Sequence, residues 1–222
     1  MTFPTPRTPE FSRTTSGATV NRVVDLPAGI QAGDLMVVFI AGAPVSGAIT
    51  PPSGWVLLAG SWGNGTAGDG VYWKVAIGGE TSATFVTSGA SGSSFHCAMA
   101  FKDAIAAEYT FVDLDGSSSM NCPAITPSWG LADNLFCAIN FWNDSGGDKP
   151  TAYPASYTLM QAAETDIAGF RVSARQSAAA TEDPAAQTTS GAMSLADGVT
   201  LAIRPTVAVA AQSVSRGSYM MG

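Results

Sequence analysis

The feature that most limits what this chain can become is the run Gly33-Asp34-Leu35-Met36-Val37-Val38-Phe39-Ile40-Ala41-Gly42. Between its glycines stands an unbroken apolar block rich in β-branched and aromatic side chains. A strand with one wet face alternates apolar and polar residues. A short block without alternation, closed by glycines, predicts a strand covered on both faces. It is too short to cross a bilayer, which takes about 20 apolar residues, so no membrane insertion is expected. A second block of the same character is Ala132-Asp133-Asn134-Leu135-Phe136-Cys137-Ala138-Ile139-Asn140-Phe141-Trp142. The chain reads as built twice around this strand.

The flanks of the two blocks agree. Pro51-Pro52-Ser53-Gly54-Trp55-Val56-Leu57-Leu58 follows the first, and Tyr153-Pro154-Ala155-Ser156-Tyr157-Thr158-Leu159-Met160 follows the second. Each is a proline turn that feeds an aromatic residue into a strand. Further on, Glu80 corresponds to Glu182, and Thr87-Ser88-Gly89-Ala90 to Thr189-Ser190-Gly191-Ala192. The last strands correspond as well, Cys97–Lys102 with Val199–Arg204. Strands of one sheet resemble one another without common ancestry. The shared spacing from Pro52 to Lys102 and from Pro154 to Arg204 favours duplication.

Strands are predicted near 18–26, 34–42, 55–62, 70–77, 82–87, 94–102, 109–114, 134–142, 157–163, 168–176, 185–189 and 198–204, separated by Gly/Pro turns. Beyond a turn near 104–108 there is no helical periodicity. Many short strands with such turns predict an all-β protein, an antiparallel β-sandwich of jelly-roll-like form with two internally similar halves. The predicted organisation is an N-terminal arm over 1–16, a single sandwich over 17–205 (halves about 17–103 and 118–205) and a C-terminal arm over 206–222. The first arm is proline-rich and lacks periodicity; the second carries a β-prone Val/Ala run past Pro205. An exposed apolar edge of that kind predicts docking on a neighbour, and hence a homo-oligomer.

Composition narrows the partners. Charged residues are 12% of the 222, and the net charge is −7. Phosphate binding needs a basic stripe that this chain lacks, so nucleic acid is not an expected partner. The opening residues Met1-Thr2-Phe3-Pro4-Thr5-Pro6 hold no basic or long apolar segment, so signal-peptide export is not expected. Cysteines number three, Cys97, Cys122 and Cys137. Two of them sit inside apolar strands, which fits free thiols in a reducing compartment.

Candidate chemistry is sparse. His96 is the one histidine. It stands in a strand beside Cys97, whose side chain points to the opposite face, so a direct dyad is not expected and His96 reads as structural. No Cys/His spacing suits zinc. Gly63-Asn64-Gly65-Thr66-Ala67-Gly68 matches G-x-G-x-x-G, but it joins two strands and opens no helix, so it reads as a hairpin loop. Asp113-Leu114-Asp115-Gly116 begins like a calcium loop without the closing glutamate; Asp103 and Glu108 lie near it. No metal, cofactor or catalytic residue is therefore assigned. The aromatic residues are the better lead. Trp62 and Trp142 stand at strand ends beside Asn64 and Asn143, where a ring can stack on a sugar while amides bind its hydroxyls. The other reading is that they lid the ends of the sandwich.

The series Leu26-Pro27-Ala28-Gly29-Ile30-Gln31-Ala32-Gly33-Asp34-Leu35, Pro51-Pro52-Ser53-Gly54-Trp55, Thr126-Pro127-Ser128-Trp129-Gly130 with Ala132-Asp133, and Ala202-Ile203-Arg204-Pro205 resembles a β-sandwich module frequent in structural proteins of tailed phages and prophages. The opening Met1–Pro6 is similar too, so the resemblance covers roughly residues 1–205. Its motifs are turn and strand signatures that carry no catalytic residues. The resemblance implies a non-enzymatic virion component, a head decoration, head fibre or tail appendage. It implies assembly in the host cytoplasm with capsid or tail proteins, and host surface glycans as a candidate contact. A carbohydrate-binding module and a glycan-acting enzyme are the alternatives.

Overall fold

The computed structural model describes residues 2–14, 21–42, 49–60, 70–87, 94–144, 146–164, 168–194 and 196–206. Over these residues the chain is all-β, with every paired strand antiparallel. The first half carries β1 (Thr5–Pro6), β2 (Glu10–Thr14), β3 (Asn21–Asp25), β4 (Leu35–Gly42), β5 (Ile49–Thr50), β6 (Val56–Gly60), β7 (Gly70–Val75), β8 (Ser82–Thr87) and β9 (Ser94–Lys102). The second carries β10 (Ala104–Asp113), β11 (Ser119–Met120), β12 (Ala132–Asn143), β13 (Thr158–Glu164), β14 (Ala168–Ala179), β15 (Gln187–Thr188) and β16 (Ala196–Pro205).

Side-chain direction explains the layering. One face of β4, with Leu35, Val37 and Phe39, packs with Met99 and Phe101 of β9 against Leu135, Ile139 and Phe141 of β12 and Leu201 and Ile203 of β16. The other face, with Met36, Val38 and Ile40, packs against Val24, Trp55 and Phe85 beneath the small sheet β3-β8-β5. On the second half, Phe136 and Ala138 turn outward to Cys122, Ile125 and Tyr157. Trp142 turns the same way, to Met120, Met193 and Ala196, under the pair β11-β15. The molecule is thus four layers deep, small sheet, large sheet, large sheet, small sheet. Both apolar blocks lie in the two middle layers, which is why neither alternates. The antiparallel β-sandwich expected from the sequence is present as the two large sheets packed face to face, and each carries a small sheet on its outer face.

The large sheets share one strand order. The first runs β1-β9-β4-β7-β6, with β2 also on β9, and the second runs β10-β16-β12-β14-β13. The outer strands β6 and β13 each carry a register shift at the same place, between Leu57 and Ala59 and between Leu159 and Gln161. Such bulges twist an open edge away from unwanted pairing. Glu80 and Glu182 also do the same work: Lys74 Nζ lies 3.4 Å from Glu80 and Arg175 Nη1 3.0 Å from Glu182.

Three expectations change. The N-terminal segment is not a free arm over residues 5–14. Thr5 pairs with Lys102, and Glu10–Thr14 with Ala98–Ser94, so it forms the edge of the first sheet. Its prolines are tolerated because an edge strand can spare an N–H. Residues 104–108 form no separate turn but begin β10, which pairs along β16 from Pro205 to Asp197. Tertiary pairing overrides the weak preferences of an Ala-rich segment. The halves therefore meet at Asp103 rather than across the interval left between 103 and 118, which carries β10, and the chain after it contributes β11 and the bridge from Ile125 to Glu182. The C-terminal run beyond Thr206 lies outside the described residues.

Candidate functional site

The stacking brings corresponding ends of the halves together. Gln176 Nε2 donates to Pro4 O at 3.4 Å, and Gln161 Nε2 to Pro9 O at 3.4 Å. Pro4 precedes the Thr5–Lys102 pair, and Gln176 pairs with Leu135, so β4 and β12 begin at one end of the molecule. At the other end they deliver Gly42 and Asn143, and Gly60 pairs with Gly70. The glycine- and asparagine-rich connections thus leave from a common end. Trp62 and Asn64, in the segment between Gly60 and Gly70, lie outside the described residues. Asn143 pairs with Ala168 through its backbone, and its side chain lies outside the description.

Trp142 is 4% exposed, so its ring does not stand open for stacking. It packs on Met120, Met193 and Ala196, and its six-membered ring passes over Gly169, where a Cβ would collide with it. Just beyond it, a clasp that was not anticipated closes this end. The Asp144 carboxylate accepts from Ser194 Oγ (2.6 Å), Ser194 N (3.1 Å) and Asp148 N (2.9 Å). These bonds, the Ser194 hydroxyl first among them, hold the Asp144 carboxyl below its ordinary pKa. Asp148 in turn accepts from Ser190 Oγ at 2.9 Å. Both carboxylates are occupied with tying the loop after β12 to the loop before β16.

The calcium-like start is occupied in the same way. Asp113 Oδ1 caps Asp115 N (3.0 Å), and Asp115 Oδ1 accepts from Ala196 N (2.9 Å). Glu108 takes the backbone N–H of Ser128 at 2.8 Å and its hydroxyl as well. Among the described residues, no group of three or more His, Cys, Asp and Glu is arranged to hold a metal ion.

His96 is fully buried between the first large sheet and its small cover. Its Nδ1 lies 3.2 Å from Ser12 Oγ and its Nε2 2.7 Å from Ser94 Oγ. Burial, with the buried Arg22 guanidinium adding repulsion, brings its pKa down from 6.5 to about 4. The imidazole is neutral at pH 7, with a hydroxyl at each nitrogen. Cys97 faces the central core instead, as strand alternation predicts, and burial pushes its thiol far up. Burial also raises Cys122 and Cys137 to about 12, so none of these thiols is a nucleophile.

A buried polar chain also escaped the sequence reading. Asn140 Nδ2 donates to Cys122 Sγ (3.3 Å), and Gln187 Nε2 to Asn140 Oδ1 (2.6 Å), joining β12 to its cover. The signal was available: Asn140 interrupts an otherwise apolar, doubly covered strand, and such a residue must find a buried partner. Glu182 anchors a similar group, accepting from Tyr157 Oη (3.2 Å) and Arg175 (3.0 Å). In comparisons with known protein families, curated proteins and solved structures, nothing matches this chain.

Proposed function

We propose that the chain is a non-enzymatic structural protein of a tailed-phage virion, a head-decoration, head-fibre or tail-appendage subunit. It assembles in the host cytoplasm with copies of itself and with capsid or tail proteins. One observation carries the non-enzymatic part. The single histidine and all three cysteines, the groups best suited to base and nucleophile work near neutral pH, are buried in packing layers. The carboxylates nearest the loop end are spent on backbone and hydroxyl contacts. The turn motifs at 26–35, 51–55, 126–133 and 202–205 support the virion part by resemblance. The common strand order, edge bulge and ion pair of the two halves support a duplicated module, a form suited to scaffolding.

The test is complementation. Particles made without this chain should lose assembly or infectivity, and a folded His96→Gln protein should restore them in full. Loss of infectivity or of glycan hydrolysis with that folded variant would return the chain to the enzymes. In the same assay, Trp62→Ala should leave assembly intact and reduce adsorption if the loop end meets host glycans; unchanged adsorption removes that contact.

A further inference from the structure

We propose that this chain exchanges halves between copies by opening at Asp103, so that the first half of one molecule packs on the second half of another. The inference goes beyond the virion reading and does not depend on it. β9 ends at Lys102 in one large sheet, and β10 starts at Ala104 in the sheet facing it. Asp103 alone joins them, at a φ of 56°. That is the left-handed region, which a residue with a Cβ enters at a cost.

What the connection holds together is a separable pair. The halves meet through the central core, in which Leu35, Phe39 and Phe101 face Leu135, Phe141 and Leu201, and through the bonds from Gln176 and Gln161 to Pro4 and Pro9. Each half has its own cover and its own outer core, so the central contact is the one lost on opening. A second copy offers each half the same partner face, residue for residue. In the opened chain Lys102-Asp103-Ala104 runs extended, β9 continues into β10, and the left-handed residue disappears. A short connection under strain is the arrangement that invites such exchange. The closed monomer is favoured when dilute, because its second half is present at high effective concentration; crowded refolding favours the exchanged form. Reciprocal exchange gives a closed dimer, and onward exchange gives rows.

The experiment uses the full chain, refolded from denaturant at low and at high protein concentration, with mass read by light scattering after size exclusion. Dimers or larger species should form only at high concentration and persist on dilution. Asp103→Gly, which removes the strain, should shift the balance toward monomer by about five-fold per hinge. Four flexible residues inserted after Asp103 should shift it further. A Pro4→Cys, Gln176→Cys pair joined by a short bismaleimide should link two chains in the dimer fraction and stay within one chain in the monomer. If that pair folds poorly, the mass of the unmodified chain and of its Asp103 variants decides alone. A chain monomeric at every concentration overturns the proposal. So does a dimer whose cross-link stays within one chain, or one that neither hinge variant weakens.

Discussion

His96 sits between two serine hydroxyls in a dry layer, and that placement makes it a stability element with a defined pH signature. Its pKa is 6.5 when free and about 4 in the fold. Between those values the unfolded chain holds a proton that the folded chain refuses, so falling pH favours unfolding. The linkage amounts to about 3 kcal/mol by pH 4 and is absent above pH 7. Urea midpoints measured from pH 7 to pH 4 should therefore drop for the native chain, and by clearly less for His96→Gln. Equal slopes in the two proteins would mean that the imidazole is not held neutral. The strand that carries His96 was legible in the sequence, over 94–102. The imidazole's serine partner Ser12 was not legible, since the segment that carries it gave no strand signal. Trp142 shows the same limit: its position at a strand end suited both a lid and a sugar platform, the lid being the better-supported reading. The absence of a Cβ at Gly169, which leaves room for the Trp142 ring against β14, is a tertiary fact.

At the level of elements, the two apolar blocks and their covers carry the fold. Val38 is fully buried and faces the small sheet over the first half. Val38→Asp places a carboxylate there without a partner, which costs several kcal/mol against a total stability of roughly 5–15 kcal/mol. The expected outcome is an insoluble or unfolded protein. A soluble variant with an unchanged melting curve would show that β4 is not central. Most long strands were found because their apolar patterns are strong, although β10 was read only from 109; 82–87 and 94–102 match β8 and β9 to the residue. The strands missed are β1, β2, β5 and β11, all short or at an edge. Edge strands gain their order from one neighbour, so their sequences need not alternate, and prolines there mimic a free arm. The depth of the stack was implicit in the blocks themselves, since two strands buried on both faces each need two covering layers.

At the scale of the whole molecule, two large sheets with one strand order are joined at one residue, and each is capped by a small sheet. Among the described residues, the large sheets end at β6 and the β1–β2 side in one and at β10 and β13 in the other. The apolar Val56, Leu57 and Leu159 are exposed on two of them. Away from their bulges, edges of this kind accept added strands. The Val/Ala run Val207–Ala211 is the segment with the right chemistry to supply one. Truncation after Pro205 should leave the fold intact and reduce incorporation into particles; normal incorporation would refute the docking role of the tail. The central claim is that this protein is built into a virion, and quantitative mass spectrometry of purified particles tests it most directly. The account predicts peptides of this chain at a fixed ratio to the major capsid protein, high for a head decoration and low for a tail part. Particles of full infectivity that contain none of it would contradict the account.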